Sequence, residues 1–104
     1  MVTFSYKLID ALARHHANPD TFAIPTPIIV ASLKPGDFAK IGVEFPPIVE
    51  GRIDGERFWV KITEATRDGF VGEVDNFLVY VAEHSIDRGQ IMHFERRNVL
   101  EVML

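Results

Sequence analysis

Residues 57–63, which read Arg-Phe-Trp-Val-Lys-Ile-Thr, decide the fold of this chain. Successive side chains of a β-strand point to opposite faces of its sheet, so a period of two with one apolar face predicts a half-buried strand. The apolar face consists of Phe58, Val60 and Ile62. Trp59 therefore falls on the outward face, together with Arg57 and Lys61.

Further short strands are predicted on both sides of this segment. An imperfect alternation covers residues 38–45, where Gly42 indicates a bulge or a close approach of the backbone. Turns are predicted at residues 53–55 and at Asp68-Gly69, because Gly and short Asx side chains favour turn conformations. Apolar stretches that also predict strands follow at 70–74, 77–81, 91–95 and 99–103.

The N-terminal segment predicts a helix from Phe4 to about His16. Phe4, Leu8 and Leu12 are spaced at i, i+4 and i+8, which places them on one apolar stripe. The helix is expected to end before Pro19, because the residue that precedes a proline disfavours helical angles.

A connector and a second, shorter helix follow. Within residues 20–25 we expect Phe22 and Ile24 to pack against the core. Thr26 and Pro27 are typical of the N-cap and the first position of a helix, which would extend to Leu33. The β-branched residues 28–30 weaken this helix, so a strand is the alternative.

The whole chain, residues 1–104, is predicted to form a single α+β domain, since this length suits one hydrophobic core. No helix of ten or more residues separates the strands after Asp37, which disfavours parallel βαβ units. Residues 1–36 form a helical arm and connector. The arm packs on residues 37–104, which form a small, strongly bent antiparallel sheet or SH3-like barrel of about five strands.

Composition and charge exclude several classes of protein. The chain has no Cys, which excludes disulfides, thiolate metal sites and thiol chemistry. Eleven basic and fifteen acidic residues give a net charge of −4, and an acidic chain disfavours a nucleic-acid partner. No apolar run approaches the ~20 residues of a membrane helix, and no signal-peptide pattern opens the sequence. We therefore expect a cytoplasmic protein without a membrane partner.

Candidate residues for catalysis are sparse. The sequence contains no nucleophile elbow and no phosphate-binding loop, so it predicts no catalytic residue, metal site or cofactor. The alternative is a small hydrolase or metal-dependent enzyme that uses His84, His93 and nearby carboxylates. That alternative predicts at least one of these histidines within a few ångströms of Asp75 or Glu83.

The leading hypothesis is a non-enzymatic binding or interaction module. Arg57, Trp59 and Lys61 form the candidate surface, because an outward Trp between two cations can bind a ligand by stacking or cation–π contact. For Trp59 itself the alternative is that the N-terminal helix covers and buries the ring, and we favour this burial over an exposed ring. The Asp75-Asn76 turn is a further candidate, although a role in the turn alone is favoured. An unknown protein or an anionic small molecule would fit this surface.

An ordered series of motifs resembles the YegJ-like bacterial family of unknown function. The resemblance covers residues 19–98 and implies a small, mainly-β bacterial domain, without an established activity, cofactor or catalytic residue. Gln90 departs from the family pattern, which usually has Asp there. The matching segments are Asp20-Thr21-Phe22, Ile24-Pro25, Leu33-Lys34-Pro35-Gly36-Asp37, Glu56-Arg57-Phe58-Trp59-Val60, Gly72 with Val74-Asp75-Asn76, and Gly89-Gln90-Ile91 with Phe94.

Two hypotheses about partners follow from other parts of the chain. The second helix is apolar where the family is charged, and an exposed apolar patch often marks an association surface. We therefore expect a homodimer with Ile28, Ile29 and Val30 at or near the interface. Residues 53–104 carry six basic and ten acidic residues, which suits an immunity-type protein that binds a basic partner.

Overall fold

A computed structural model of the chain describes residues 6–45 and 54–103. Within these ranges no helix is long and apolar enough to cross a membrane, since the longest, α1, has seven residues. The elements in chain order are β1 (Lys7–Leu8), α1 (Ala11–Ala17), α2 (Pro27–Ala31), β2 (Phe38–Phe45), β3 (Asp54–Ala65), β4 (Gly69–Val74), α3 (Val81–His84), β5 (Ile91–Glu95), a 3-10 turn (Arg96–Asn98) and β6 (Glu101–Met103).

The strands form one antiparallel sheet in the order β1-β2-β3-β4-β5, and β6 also pairs with β2. Strands β2 to β5 follow one another as a meander, because each pairs with the next along the chain. The sheet curls into a half-barrel against which the helices pack. The predicted α+β class, with helices on a small bent antiparallel sheet, is confirmed.

The concave face of the sheet carries the core. The alternation predicted for residues 57–63 is confirmed, since Phe58, Val60 and Ile62 are at most 2% exposed. In the β2–β3 pair, Ile41 lies opposite Phe58, and Val60 lies opposite Ala39. The core is completed from the other elements by residues including Val30, Leu33, Val43, Phe45, Phe70, Val74, Ile86, Met92, Phe94 and Val99.

Both terminal segments cover the second edge of β2, and they meet at Gly42. The amide of Ile9 donates to the Gly42 carbonyl over 2.9 Å, and the amide of Leu100 donates to the Lys40 carbonyl over 2.8 Å. A Cβ atom on Gly42 would lie 2.6 Å from Cδ1 of Ile9 and 3.2 Å from Cδ1 of Leu100. The prediction of a close approach at Gly42 is confirmed, and the β2–β3 register runs through it without a bulge.

The N-terminal helix is shorter than predicted. Residues 7–8 form β1 and pair with Glu44 and Val43, so the prediction of one helix from Phe4 is wrong over this part. The helix begins only after Asp10, whose carboxylate accepts a hydrogen bond from the Ala13 amide at 2.9 Å. The unpaired edge of β2 offers hydrogen bonds that override the helical periodicity. Phe4 lies outside the described residues.

The connector and α2 follow the sequence prediction closely. Phe22 and Ile24 pack against the small cluster of Ile9, Ala11 and Leu100, as expected. Thr26 is the N-cap of α2 and Pro27 is its first residue, which confirms the predicted start. The helix ends at Ala31 instead of Leu33.

Two other local predictions are wrong. Asp54 and Gly55 belong to β3, opposite Phe45 and Glu44, so no turn lies at these positions, and Ile53 lies outside the described residues. Residues 77–81 form no strand: residues 77–80 are a loop, and Val81 begins α3. Two amides of the loop, those of Val79 and Tyr80, donate to the Glu56 side chain of β3.

The packing at Gly42 generates a stability prediction. We expect Gly42→Ala to reduce the free energy of unfolding by about 1–3 kcal/mol, because the new methyl group overlaps Ile9. Ile9→Val removes the overlapping Cδ1 atom, and alone it should cost roughly 0.5–1.5 kcal/mol. In urea denaturation the double variant should lose less stability than the two single losses together. Additive losses would contradict the close packing.

Candidate functional site

The convex face of the sheet places an aromatic ring under an ammonium group. Lys40 on β2 lies opposite Trp59 on β3. Its Nζ atom is 5.0 Å from the centroid of the Trp59 ring and 2.7 Å from a carboxylate oxygen of Glu101. Trp59 is half-buried. Its predicted place on the outward face is confirmed. The favoured alternative, burial beneath the N-terminal helix, is wrong, since the ring is only half-buried and the group over it is the Lys40 ammonium.

A cleft of about 270 Å³ opens beside this pair. Its lining comes from the connector, from β2 and β3, and from the residues that lead into β6. Arg57 lines the cleft, with its guanidinium carbon 5.6 Å from the centroid of the Phe22 ring, and Arg14 lies 6.0 Å from the same ring. The lining residues are Thr21, Phe22, Ala23, Lys40, Arg57, Leu100 and Glu101.

The three cations around this cleft differ in how they are neutralised. Arg14 forms an ion pair with Glu44, and Lys40 forms one with Glu101. Arg57 is exposed and makes no ion pair with the side chains that the structure describes, which do not include those of Asp54 and Glu83. Its guanidinium is therefore the group in the cleft that is best placed to meet an anion.

The other predicted surface residues, Lys61, Asp75 and Asn76, do not line the cleft. Lys61 lies on the same face, opposite Phe38 and Glu73. The Asp75 amide donates to the Trp59 carbonyl at 2.9 Å, and Oδ1 of Asn76 accepts a hydrogen bond from the Trp59 amide. These bonds extend the ladder beyond the end of β4. The Asn76 side chain thus fixes the backbone behind Trp59.

The sequence analysis missed Lys40 and Glu101 as site residues. Lys40 occupies an outward position of β2. The alternation of apolar and polar residues in this strand is therefore the sequence feature that could have identified it. Its meeting with Trp59 depends on the register between two strands, which the periodicity of either strand alone does not contain.

A partly buried carboxylate and a fully buried imidazole fix the loop that follows β4. Oε1 of Glu56 lies 2.9 Å from Nε2 of His84 and accepts a hydrogen bond from the Tyr80 amide at 3.0 Å. Oε2 accepts one from the Val79 amide at 2.7 Å. The Ile86 amide donates to Nδ1 of His84 at 3.0 Å, so Nε2 carries the proton and donates to Glu56. One carboxylate therefore holds both the loop and α3.

The surroundings of Glu56 lower the pKa of its carboxyl below the ordinary value. Burial alone would raise this pKa, but the hydrogen bonds from Val79, His84 and Tyr80 stabilise the charged form and outweigh burial. A depressed pKa in the folded state means that the carboxylate contributes stability at neutral pH. This contribution is lost as the pH falls through the folded-state pKa.

The histidines of the hydrolase alternative do not share a site. His84 is fully buried, and both of its ring nitrogens are already hydrogen bonded, to Glu56 and to the Ile86 amide. The carboxylate that His84 contacts is that of Glu56, which the alternative did not name, and the Glu83 side chain lies outside the described part of the structure. His93 is exposed on β5. In the part of the chain that the structure describes, no three His, Asp or Glu side chains form a group that could hold a metal ion.

The three residues of the predicted dimer interface differ in exposure. Ile28 is 82% exposed, Ile29 is half-buried, and Val30 is 7% exposed within the main core. Val30 therefore packs in the interior of the chain, on the face of α2 that contacts the core. Of the three, Ile28 offers the open apolar surface.

No family model, no curated protein and no solved structure matches the chain. The resemblance to the YegJ-like family stays a prediction.

The Glu56 cluster generates a pH-dependent prediction. We expect Glu56→Gln to lower the free energy of unfolding at neutral pH by about 1–3 kcal/mol, because the amide NH₂ would face a backbone donor. This difference from the wild type should shrink as the pH falls below about 4.5, the ordinary pKa of the carboxyl. Urea denaturation at several pH values measures both effects.

The matched control for this experiment is Glu64→Gln on the same strand. Glu64 is exposed, so its neutralisation should change stability by less than about 0.5 kcal/mol. Equal losses in the two variants, or a Glu56→Gln loss that is independent of pH, would contradict the role assigned to Glu56.

Proposed function

We propose that this protein is a non-enzymatic binding module whose cleft takes a small anionic molecule. The observation that carries the proposal is the position of Arg57: its guanidinium stacks on Phe22 at the wall of a cleft, without an ion pair among the described residues. A guanidinium can bind a carboxylate or a phosphate through two parallel hydrogen bonds. The anionic group of the ligand would meet Arg57.

The rest of the cleft supports a ligand with a flat or apolar part. Phe22 offers a ring face, and Leu100 adds apolar surface to the lining. The volume of about 270 Å³ lies just below the roughly 300–1,000 Å³ of pockets for drug-sized ligands. A small molecule is therefore favoured over a large one, and a single acidic side chain of a protein partner is the alternative.

The experiment compares wild type with Arg57→Ala. Native mass spectrometry on untagged protein from its host should show a discrete added mass on the wild type and should identify the ligand. We expect Arg57→Ala to bind this ligand about tenfold more weakly or worse, because a charge-assisted contact is lost. The melting temperature should stay nearly unchanged, since Arg57 is exposed.

Lys61→Ala is the matched control, since Lys61 lies on the same strand face and outside the cleft lining. It should leave binding unchanged. If Arg57→Ala unfolds the domain or binds as tightly as the wild type, the proposal is wrong. A basic protein retained in place of a small molecule would instead favour the immunity-type alternative.

We also propose that α2 contributes to a homodimer through Ile28. An isoleucine that is 82% exposed is apolar surface that a second copy can cover. Light scattering should give twice the mass of the chain for the wild type and a monomer for Ile28→Glu, because a charge would be buried at the interface. Ala13→Glu is the control on the exposed side of α1. A monomeric wild type would rule out the dimer.

A further inference from the structure

A second concave surface shares no lining residue with the cleft. This groove has a volume of about 260 Å³ and lies between α1, the connector, α2 and the segment 96–99. Seven of its nine lining residues are apolar, and they include Leu12, Val30 and Val99. Leu12 is 41% exposed, whereas Val30 and Val99 are buried in the main core. Leu12, Pro27 and Ala31 therefore supply the exposed apolar surface of the groove that a ligand can cover.

The other two lining residues are Arg96 and Arg97. The guanidinium of Arg97 is neutralised, since its Nε atom lies 2.9 Å from Glu95 and its Nη1 atom 3.9 Å from Asp10. Arg96 is exposed and makes no ion pair with any of the side chains that the structure describes. The groove therefore combines an apolar lining with one cation that is not neutralised.

We propose that this groove binds a small apolar anion, a carboxylate on a short hydrocarbon chain. The hydrocarbon part would cover the apolar lining, where each buried CH₂ is removed from water. The carboxylate would meet Arg96, whose planar donors match its two oxygens. An acidic lining would repel this ligand, and no Asp or Glu lines the groove in the part of the chain that is described.

Octanoate is the probe that tests this site. We expect octanoate to bind in the groove in an NMR titration, with the amides of Ala31 and Val99 shifting together. Octanol has the same chain without the charge, and acetate has the charge without the chain. Both should bind about tenfold more weakly than octanoate or worse, because each lacks one of the two interactions.

Two pairs of variants locate the binding. Ala31→Trp fills the groove from the exposed end of α2 and should abolish octanoate binding, while Ala13→Trp on α1 lies outside the lining and should not change it. Arg96→Ala should weaken binding of octanoate about tenfold without changing that of octanol. Arg57→Ala should leave octanoate binding intact, which separates this site from the cleft.

Three outcomes would overturn the proposal. The first is full octanoate binding in Ala31→Trp while its folded NMR spectrum is retained. The second is octanol binding as tight as octanoate binding. The third is a wild type that is dimeric and does not bind octanoate, together with an Ala31→Trp variant that is monomeric. A second copy of the chain would then be the occupant of the groove. Ile28→Glu lies outside the lining and should keep octanoate binding in any oligomeric state.

Discussion

The second edge of β2 is the constraint on which the rest of the structure depends. An uncovered edge leaves backbone N–H and C=O groups unpaired, and here neither terminal segment covers it alone. β1 takes one half and β6 the other, with Ile9 and Leu100 continuing the pairing toward Gly42. Asn98 joins the two segments, because its Nδ2 atom donates to the Ile9 carbonyl at 3.0 Å. The cleft and the groove both lie beside these segments, so their shape depends on that edge.

The sequence predicts well those elements whose cause is local. The alternation in residues 57–63 specifies which side of β3 is buried, since a shift of one residue would turn its apolar face to water. Thr26 specifies the start of α2 because its side chain caps the helix that follows. For the same reason Arg57 and Trp59 could be placed on the outward face from the sequence alone. Each of these features depends on residues only a few positions apart.

The features that the sequence analysis missed depend on contacts between distant residues. Residues 77–81 have strand propensity, but the Glu56 carboxylate, more than twenty positions earlier, takes the amides of Val79 and Tyr80. Those donors are then unavailable for a neighbouring strand, so tertiary contact overrides propensity. The start of α1 was misplaced for a similar reason, since β2 takes residues 7–8. The lining of the cleft joins Phe22, Lys40 and Arg57 from three separate segments.

The net charge of −4 bears on how any anion could bind here. Salt screens this charge beyond a Debye length of about 8–10 Å, so at physiological ionic strength it repels an approaching anion only weakly. Attraction must therefore come from contact with a single cation near apolar surface, where water screens the interaction less. Arg57 beside Phe22 has this environment, and so does Arg96 beside the apolar groove. In each case the acidic neighbours that would neutralise the cation are engaged elsewhere, Glu101 with Lys40 and Glu95 with Arg97. The pairing of the surrounding charges, more than the net charge, therefore decides where an anion can bind.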